Sequence, residues 1–121
     1  MAEYLPIYKP GQALTLKASA AVTAGQVVEV TGVGTVGPAG ADSVKFVGVA
    51  AFDAAINDNV TTYAGGVQFP IASGTVTAGD IIVCAADGEV ITDATPTSAQ
   101  CVVGIALSTA TDAAVRVAFV R

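Results

Sequence analysis

Ala18-Ser19-Ala20-Ala21-Val22-Thr23-Ala24-Gly25-Gln26-Val27-Val28-Glu29-Val30 decides how this 121-residue chain is read, because the stretch occurs twice. It returns 54 residues on as Ala72-Ser73-Gly74-Thr75-Val76-Thr77-Ala78-Gly79-Asp80-Ile81-Ile82-Val83-Cys84, with the Ala-Ser and Val-Thr-Ala-Gly pieces identical. Phe46-Val47-Gly48-Val49-Ala50 then matches Val102-Val103-Gly104-Ile105-Ala106 at 56 residues, so the second copy holds two extra loop residues. Each half ends in a further strand-like run, Val60-Thr61-Thr62-Tyr63 and Val115-Arg116-Val117-Ala118-Phe119-Val120. Two repeats are too few for a solenoid, which usually needs three or more. The expectation is two halves wrapped around one shared core.

Within each copy, short β-rich runs alternate with Gly, Asp and Asn punctuation, and no stretch of helical length keeps a 3.6-residue apolar period. The prediction is an all-β, compact barrel- or sandwich-like domain over residues 12–121, with repeat halves of about 12–63 and 65–121. Helix is confined at most to a turn or two near Ala50–Ile56 and Ser108–Ala114. Gly25 and Gly79 supply the positive φ of a tight turn before a strand. Alternation then puts Val28 and Val30 on one face, matched by Ile82 and Cys84, with Glu29 and Val83 pointing the other way. The repeat has one flaw. Leu14, Leu16 and Ala18 share a face, whereas Val67, Phe69 and Ile71 stand in the opposite phase, through a bulge, a register shift or a subunit contact.

Residues 1–11, Met1-Ala2-Glu3-Tyr4-Leu5-Pro6-Ile7-Tyr8-Lys9-Pro10-Gly11, have no counterpart in the second copy. Pro6 and Pro10 disfavour helix and remove backbone donors, so an extended arm is expected, laid over its own barrel or reaching a neighbour. Tyr4, Leu5, Pro6, Ile7, Tyr8 and Lys9 are the candidate partner-binding residues.

Composition excludes much chemistry. Five Lys and Arg against ten Asp and Glu give a net charge of −5, the wrong sign for a phosphate-neutralising surface, so no nucleic-acid partner is expected. No run approaches 18 apolar residues and the N-terminus lacks the basic and apolar regions of a signal peptide, so no membrane partner is expected. The chain reads as made in the cytoplasm and left unprocessed. Histidine is absent, which removes the commonest proton-transfer group, and no serine is singled out beside Lys9, Lys17 or Lys45. The chain therefore reads as no enzyme, without catalytic residues, cofactor or metal.

Three local patterns invite chemistry and are better read as turns or core. Gly32-Val33-Gly34-Thr35-Val36-Gly37 satisfies GxGxxG, but Pro38-Ala39-Gly40 follows where a dinucleotide site needs a helix, so a glycine-rich hairpin or bulge is expected. Asp53, Asn57, Asp58 and Asn59 gather oxygen ligands, yet their spacing fits no EF-hand loop and suits side chains that cap their own backbone. Cys84 replaces Val30 on the apolar face, and Cys101 matches Lys45 near a strand start, so one thiol is expected in the core and the other more exposed. Without a secretion signal, free thiols are favoured over a disulfide.

Taken in order, Tyr4-Leu5-Pro6-Ile7-Tyr8-Lys9-Pro10-Gly11, Ala20-Ala21-Val22-Thr23-Ala24-Gly25-Gln26-Val27-Val28, Val47-Gly48-Val49-Ala50, Ala64-Gly65-Gly66-Val67 and Val76-Thr77-Ala78-Gly79-Asp80 resemble the tailed-bacteriophage capsid decoration, or head cement, proteins. The resemblance covers nearly the whole chain. It implies a small β-rich protein on the outer capsid surface of the virion, bound to the major capsid protein, often as a homotrimer, stabilising the head without catalysis. Two other classes share some features. A barrel-sandwich carrier domain would want a modifiable lysine at a hairpin tip, and the second half has no lysine. A carbohydrate-binding surface or fibre module would want aromatic faces, and only 6% of residues are aromatic, none of them Trp.

Overall fold

Small β-branched residues between glycine turns fold this chain as two successive versions of one motif, with five strands in the first and seven in the second. The computed structural model describes residues 13–121; the arm predicted over residues 1–11 lies outside the described residues. The first version comprises β1 (Leu14–Ala18), β2 (Val27–Gly32), β3 (Thr35–Pro38), β4 (Phe46–Ala50) and β5 (Asn59–Tyr63). They close into a barrel in the order β1-β3-β2-β4-β5, with β5 paired back onto β1. The second version comprises β6 (Val67–Gln68), β7 (Thr75–Val76), β8 (Ile81–Cys84), β9 (Val90–Thr92), β10 (Val102–Ala106), β11 (Ala110–Thr111) and β12 (Val117–Phe119). Its main sheet runs β6-β12-β10-β8-β9, and β7 pairs with β11 separately.

Several backbone hydrogen bonds recur in both halves. Gly25 N–H donates to Ala50 O as Gly79 N–H does to Ala106 O, and Ala39 N–H donates to Val27 O as Asp93 N–H does to Ile81 O. The parallel contact of Ala18 with Val36 that closes the first barrel recurs as an isolated bridge between Ala72 and Val90. The single bridge is all that remains of the β1–β3 ladder, so the second sheet stays open between β6 and β9. The turn expectation is met as well: Gly25 has φ 88° and Gly79 φ 93°.

Gly48 and Gly104 explain why the Val-Gly-[Val/Ile]-Ala words match. Each sits beside a register shift, where a Cβ would collide with the carbonyl of Tyr63 or Ala118 on the neighbouring strand. Glycine is needed there for close backbone approach.

Two cores form rather than the one expected. Ala18, Val22, Val28, Val36, Ala50, Ala54 and Val60 fill the first barrel. Their counterparts Ala72, Val76, Ile82, Val90 and Ala106 fill the second half. This second cluster also takes in Val27, Ala39, Phe46 and Val49 from the first half. Val27 and Val28 are adjacent on one strand and point to opposite faces, so β2 serves both cores. Strict in-and-out alternation also misreads Val83, which is buried although it faces away from Ile82.

Three expectations need correction. The two short helical turns are 3₁₀ and lie at Ala86–Gly88 and Ala99–Cys101, not near residues 50–56 or 108–114, where short bridges and strand β11 take the backbone instead. Cys101 is fully buried, because the turn that ends on it folds it inward and its Sγ–H donates to Ser98 O at 3.1 Å. Val30 is 41% exposed although it shares the inward face of Val28, in the half of β2 that runs out to the exposed hairpin.

The out-of-phase Val67, Phe69 and Ile71 involve no slip. Gln68, Pro70 and Ala72 take the inward positions of Leu14, Leu16 and Ala18, and the three apolar side chains face solvent at 56%, 53% and 37% exposure. Gln68 reconciles its polar end with an inward position by donating Nε2 to Gly65 O at 2.8 Å and to Tyr63 O at 3.2 Å.

Candidate functional site: exposed apolar surfaces

Among the described residues no three His, Cys, Asp or Glu side chains converge as metal ligands would. The Asp53 loop is fastened to other segments of the first half rather than by caps on its own backbone: Asp53 Oδ1 accepts from Ala24 N–H at 2.9 Å, and Asn57 takes φ 72° while its N–H donates to Ala18 O. In the second half Thr109 Oγ1 accepts from Ala78 N–H, and Asp112 Oδ1 accepts from Gly74 N–H at 2.7 Å. These side chains fasten turns. Residues 32–37 form the β2–β3 hairpin, with Gly34 at φ 68°.

A cleft of about 240 Å³ lies between Thr23, Gln26, Ile71, Asp87 and Glu89. Its central side chain is already engaged. Gln26 Oε1 accepts from Thr23 N–H at 2.8 Å, while Nε2 donates to Asp87 O at 2.9 Å, so Gln26 ties the halves together instead of presenting a recognition group. Both cysteines are free and buried. Burial, and after it the negative charge of Glu29, pushes the Cys84 thiol up to about 12, which leaves it protonated and unreactive at neutral pH.

Surface chemistry instead centres on apolar side chains facing solvent. On the outer face of the second sheet, cross-strand partners Val67, Ala118, Ile105 and Ile81 form one row over β6, β12, β10 and β8. Val67 and Ile105 are exposed, whereas Ala118 and Ile81 are half-buried. No charged side chain interrupts the row. Phe69 flanks it, half-exposed beneath the guanidinium of Arg116, which stands 5.1 Å from the ring centroid. A second apolar point is Val33, fully exposed at the tip of the β2–β3 hairpin. Such a concentration in a small β protein marks contact surfaces. Charge is sparse by comparison: Lys45 Nζ approaches Glu29 Oε2 at 3.7 Å, a solvent-screened pair of little energetic weight.

The candidate residues Tyr4, Leu5, Pro6, Ile7, Tyr8 and Lys9 all lie outside the described residues. The row on the second sheet escapes a reading based on alternation alone, because Ile81 and Ile105 look like core residues. Their repeat equivalents, Val27 and Val49, carried the missing signal: an outward face that is apolar in both halves.

A crystal structure of the head fiber gp8.5 N base of bacteriophage phi29 has the same fold, with a TM-score of 0.71 and 21% identity over 89% of this chain and 92% of that one. Among curated proteins, none matches this chain. The family described as phage cement protein matches residues 8–121, which span both halves of the fold, and this chain belongs to that family.

Proposed function

We propose that this protein is a decoration protein of a tailed-phage head, binding the outer capsid surface through the major capsid protein and stabilising the shell by several contacts at once. Family membership over residues 8–121 carries the reading. The chain's chemistry supports it. A cement protein needs a rigid small body, adhesive surfaces and no reactive centre. The doubled β fold supplies the first, the exposed apolar row and the hairpin tip the second, and the turn-locked carboxylates and buried thiols are consistent with the third.

In this reading three copies act together as a homotrimer, so each modest contact raises the effective concentration of the next and weak patches add up to firm attachment. The arm at residues 1–11 is the proposed capsid contact. Tyr4, Leu5, Ile7 and Tyr8 fill pockets, and the extended backbone, broken as a donor at Pro6 and Pro10, adds along a sheet edge of the shell or of an adjacent subunit. Synthesis in the host cytoplasm precedes assembly onto the expanded head.

The experiment is co-sedimentation with expanded heads, comparing the full chain with a chain lacking Met1–Pro10. The full chain is expected to saturate the heads and the truncated chain to bind weakly or not at all, with both giving the same β-type circular dichroism. Equal occupancy by the truncated chain rejects the arm as the capsid contact, and failure of the full chain to bind rejects the decoration role.

A further inference from the structure

The two halves do not meet symmetrically. The first half presents the outer face of its barrel, through Val27, Phe46 and Val49, to the second half, where these side chains join the core that contains Cys84 and Val90. Backbone bonds fasten the same seam: Asp42 N–H donates to Cys84 O, and Gly88 N–H donates to Ala39 O at 2.8 Å. The outer face of one repeat therefore stoppers the β8–β9 end of the next.

Repeat equivalence identifies both halves of a second, unused contact of this kind. The outer face of the second half carries Ile81, Val102 and Ile105 where the first carries Val27, Phe46 and Val49, and among the described residues it stays open along one row, with Ile105 39% and Val67 56% exposed, although Val83 on the same face is buried. The equivalent of the stoppered 84–90 segment is residues 30–36, the end of the β2–β3 hairpin, where Val30 and Val33 face solvent. The stretch Val30-Thr31-Gly32-Val33-Gly34-Thr35 carries no charge, nor does the row Ile81, Ile105, Ala118 and Val67. Two departures are Asp93, which stands where the first half has Ala39 and turns its Oδ1 to Thr95 N–H at the edge of the surface, and Asp87, which stands in the 84–90 segment where the hairpin has Val33.

We infer that the outer face of the second half (Ile81, Ile105, Val67) docks onto the β2–β3 hairpin end (Val30, Val33) of a second copy of this chain, continuing between molecules the contact that joins the halves within one. The occupant is a second copy because the corresponding face of the first half packs against the end of another such repeat. The contact is heterologous, head to tail, so three copies close into a ring of six repeats when the rotation per copy allows it. This rests on the reading of the protein as a homo-oligomer and assigns the surfaces through which its copies meet.

The test is light scattering of the purified full-length chain over a concentration series, with Ile105→Glu and Val33→Glu, and with Val67→Glu as a more exposed second variant on the same face. The wild type is expected to associate, and each variant to weaken association by about tenfold or more while keeping its β-type circular dichroism. Mixing Ile105→Glu with Val33→Glu then gives dimers of one copy of each and nothing larger, since the pair retains one working face and one working hairpin. A monomeric wild type, a folded variant that associates like the wild type, or an equimolar mixture that stays monomeric overturns the inference. Association unchanged in Ile105→Glu together with lost head binding overturns it too, reassigning this face to the shell. A wild type that associates as expected but ignores heads leaves the contact standing and removes only the decoration role.

Discussion

The guanidinium carbon of Arg121 lies 4.2 Å from the ring centroid of Phe46, so the final residue of the second half stacks on the first strand-face of the other. Its Nη2 also donates to Val44 O at 2.9 Å and to Gln100 O at 3.0 Å, bridging the backbones of both halves. Phe119 meets the same Phe46 ring edge-on, with centroids 6.5 Å apart. A planar donor fork does what an ammonium does poorly here. Arg121→Ala is expected to cost about 1–2 kcal/mol in urea unfolding, and Arg121→Lys to recover less than half of it.

Gly104 and Gly79 separate two reasons for glycine. At Gly79 the φ of 93° is the only demand, because a Cβ there meets nothing within 4 Å. At Gly104 the obstacle is the Ala118 backbone, which has no flexible end to move. Gly79→Ala should therefore cost about 1 kcal/mol and Gly104→Ala about 2–3 kcal/mol or more, measured by chemical denaturation of the two variants side by side.

Thr62 is fully buried in the first barrel, and among the described residues its hydroxyl has no hydrogen-bond partner. Valine has the same shape and no polar atom to desolvate, so Thr62→Val is expected to raise stability by about 1 kcal/mol and to raise the thermal midpoint. An unchanged or lowered midpoint contradicts the assignment of that hydroxyl as a net cost.

The raised Cys84 pKa sets a pH dependence. Folded, the thiol holds its proton up to about 12, whereas unfolded it releases it near 9.0. Between those values the folded state binds the extra proton, so stability is intact below pH 9 and falls as pH rises toward 12. Cys84→Ala should flatten that slope in denaturation curves recorded across the alkaline range. In the native wild type, iodoacetamide at pH 8 should label Cys84 slowly and urea should release the block.

Much of this fold was legible because duplication turns one sequence into two readings of the same structure. The Val-Thr-Ala-Gly turns, the strands ending at Tyr63 and Phe119, and the hairpin at residues 32–37 each follow from local chemistry that needs no partner. What stayed hidden depends on how the halves meet. Val27 is buried in the second half's core, and Cys101 is tucked in by a 3₁₀ turn whose sequence, Ala99-Gln100-Cys101, carries no strong signal. The phase of Val67, Phe69 and Ile71 shows the same limit from the other side. Period-two alternation identifies a face without saying which face is dry.

The gap between β6 and β9 makes the twin halves unequal in fastening. The first is hooped all the way round, while the second is pinned at Ala72 and Val90 by one rung. Opening of the molecule should therefore start at that rung, and amide exchange around residues 67–72 and 90–92 should outpace exchange in the hooped half. A body with one stiff lobe and one that yields first would let strain in an attached shell be taken up locally, while the stiff lobe kept its shape.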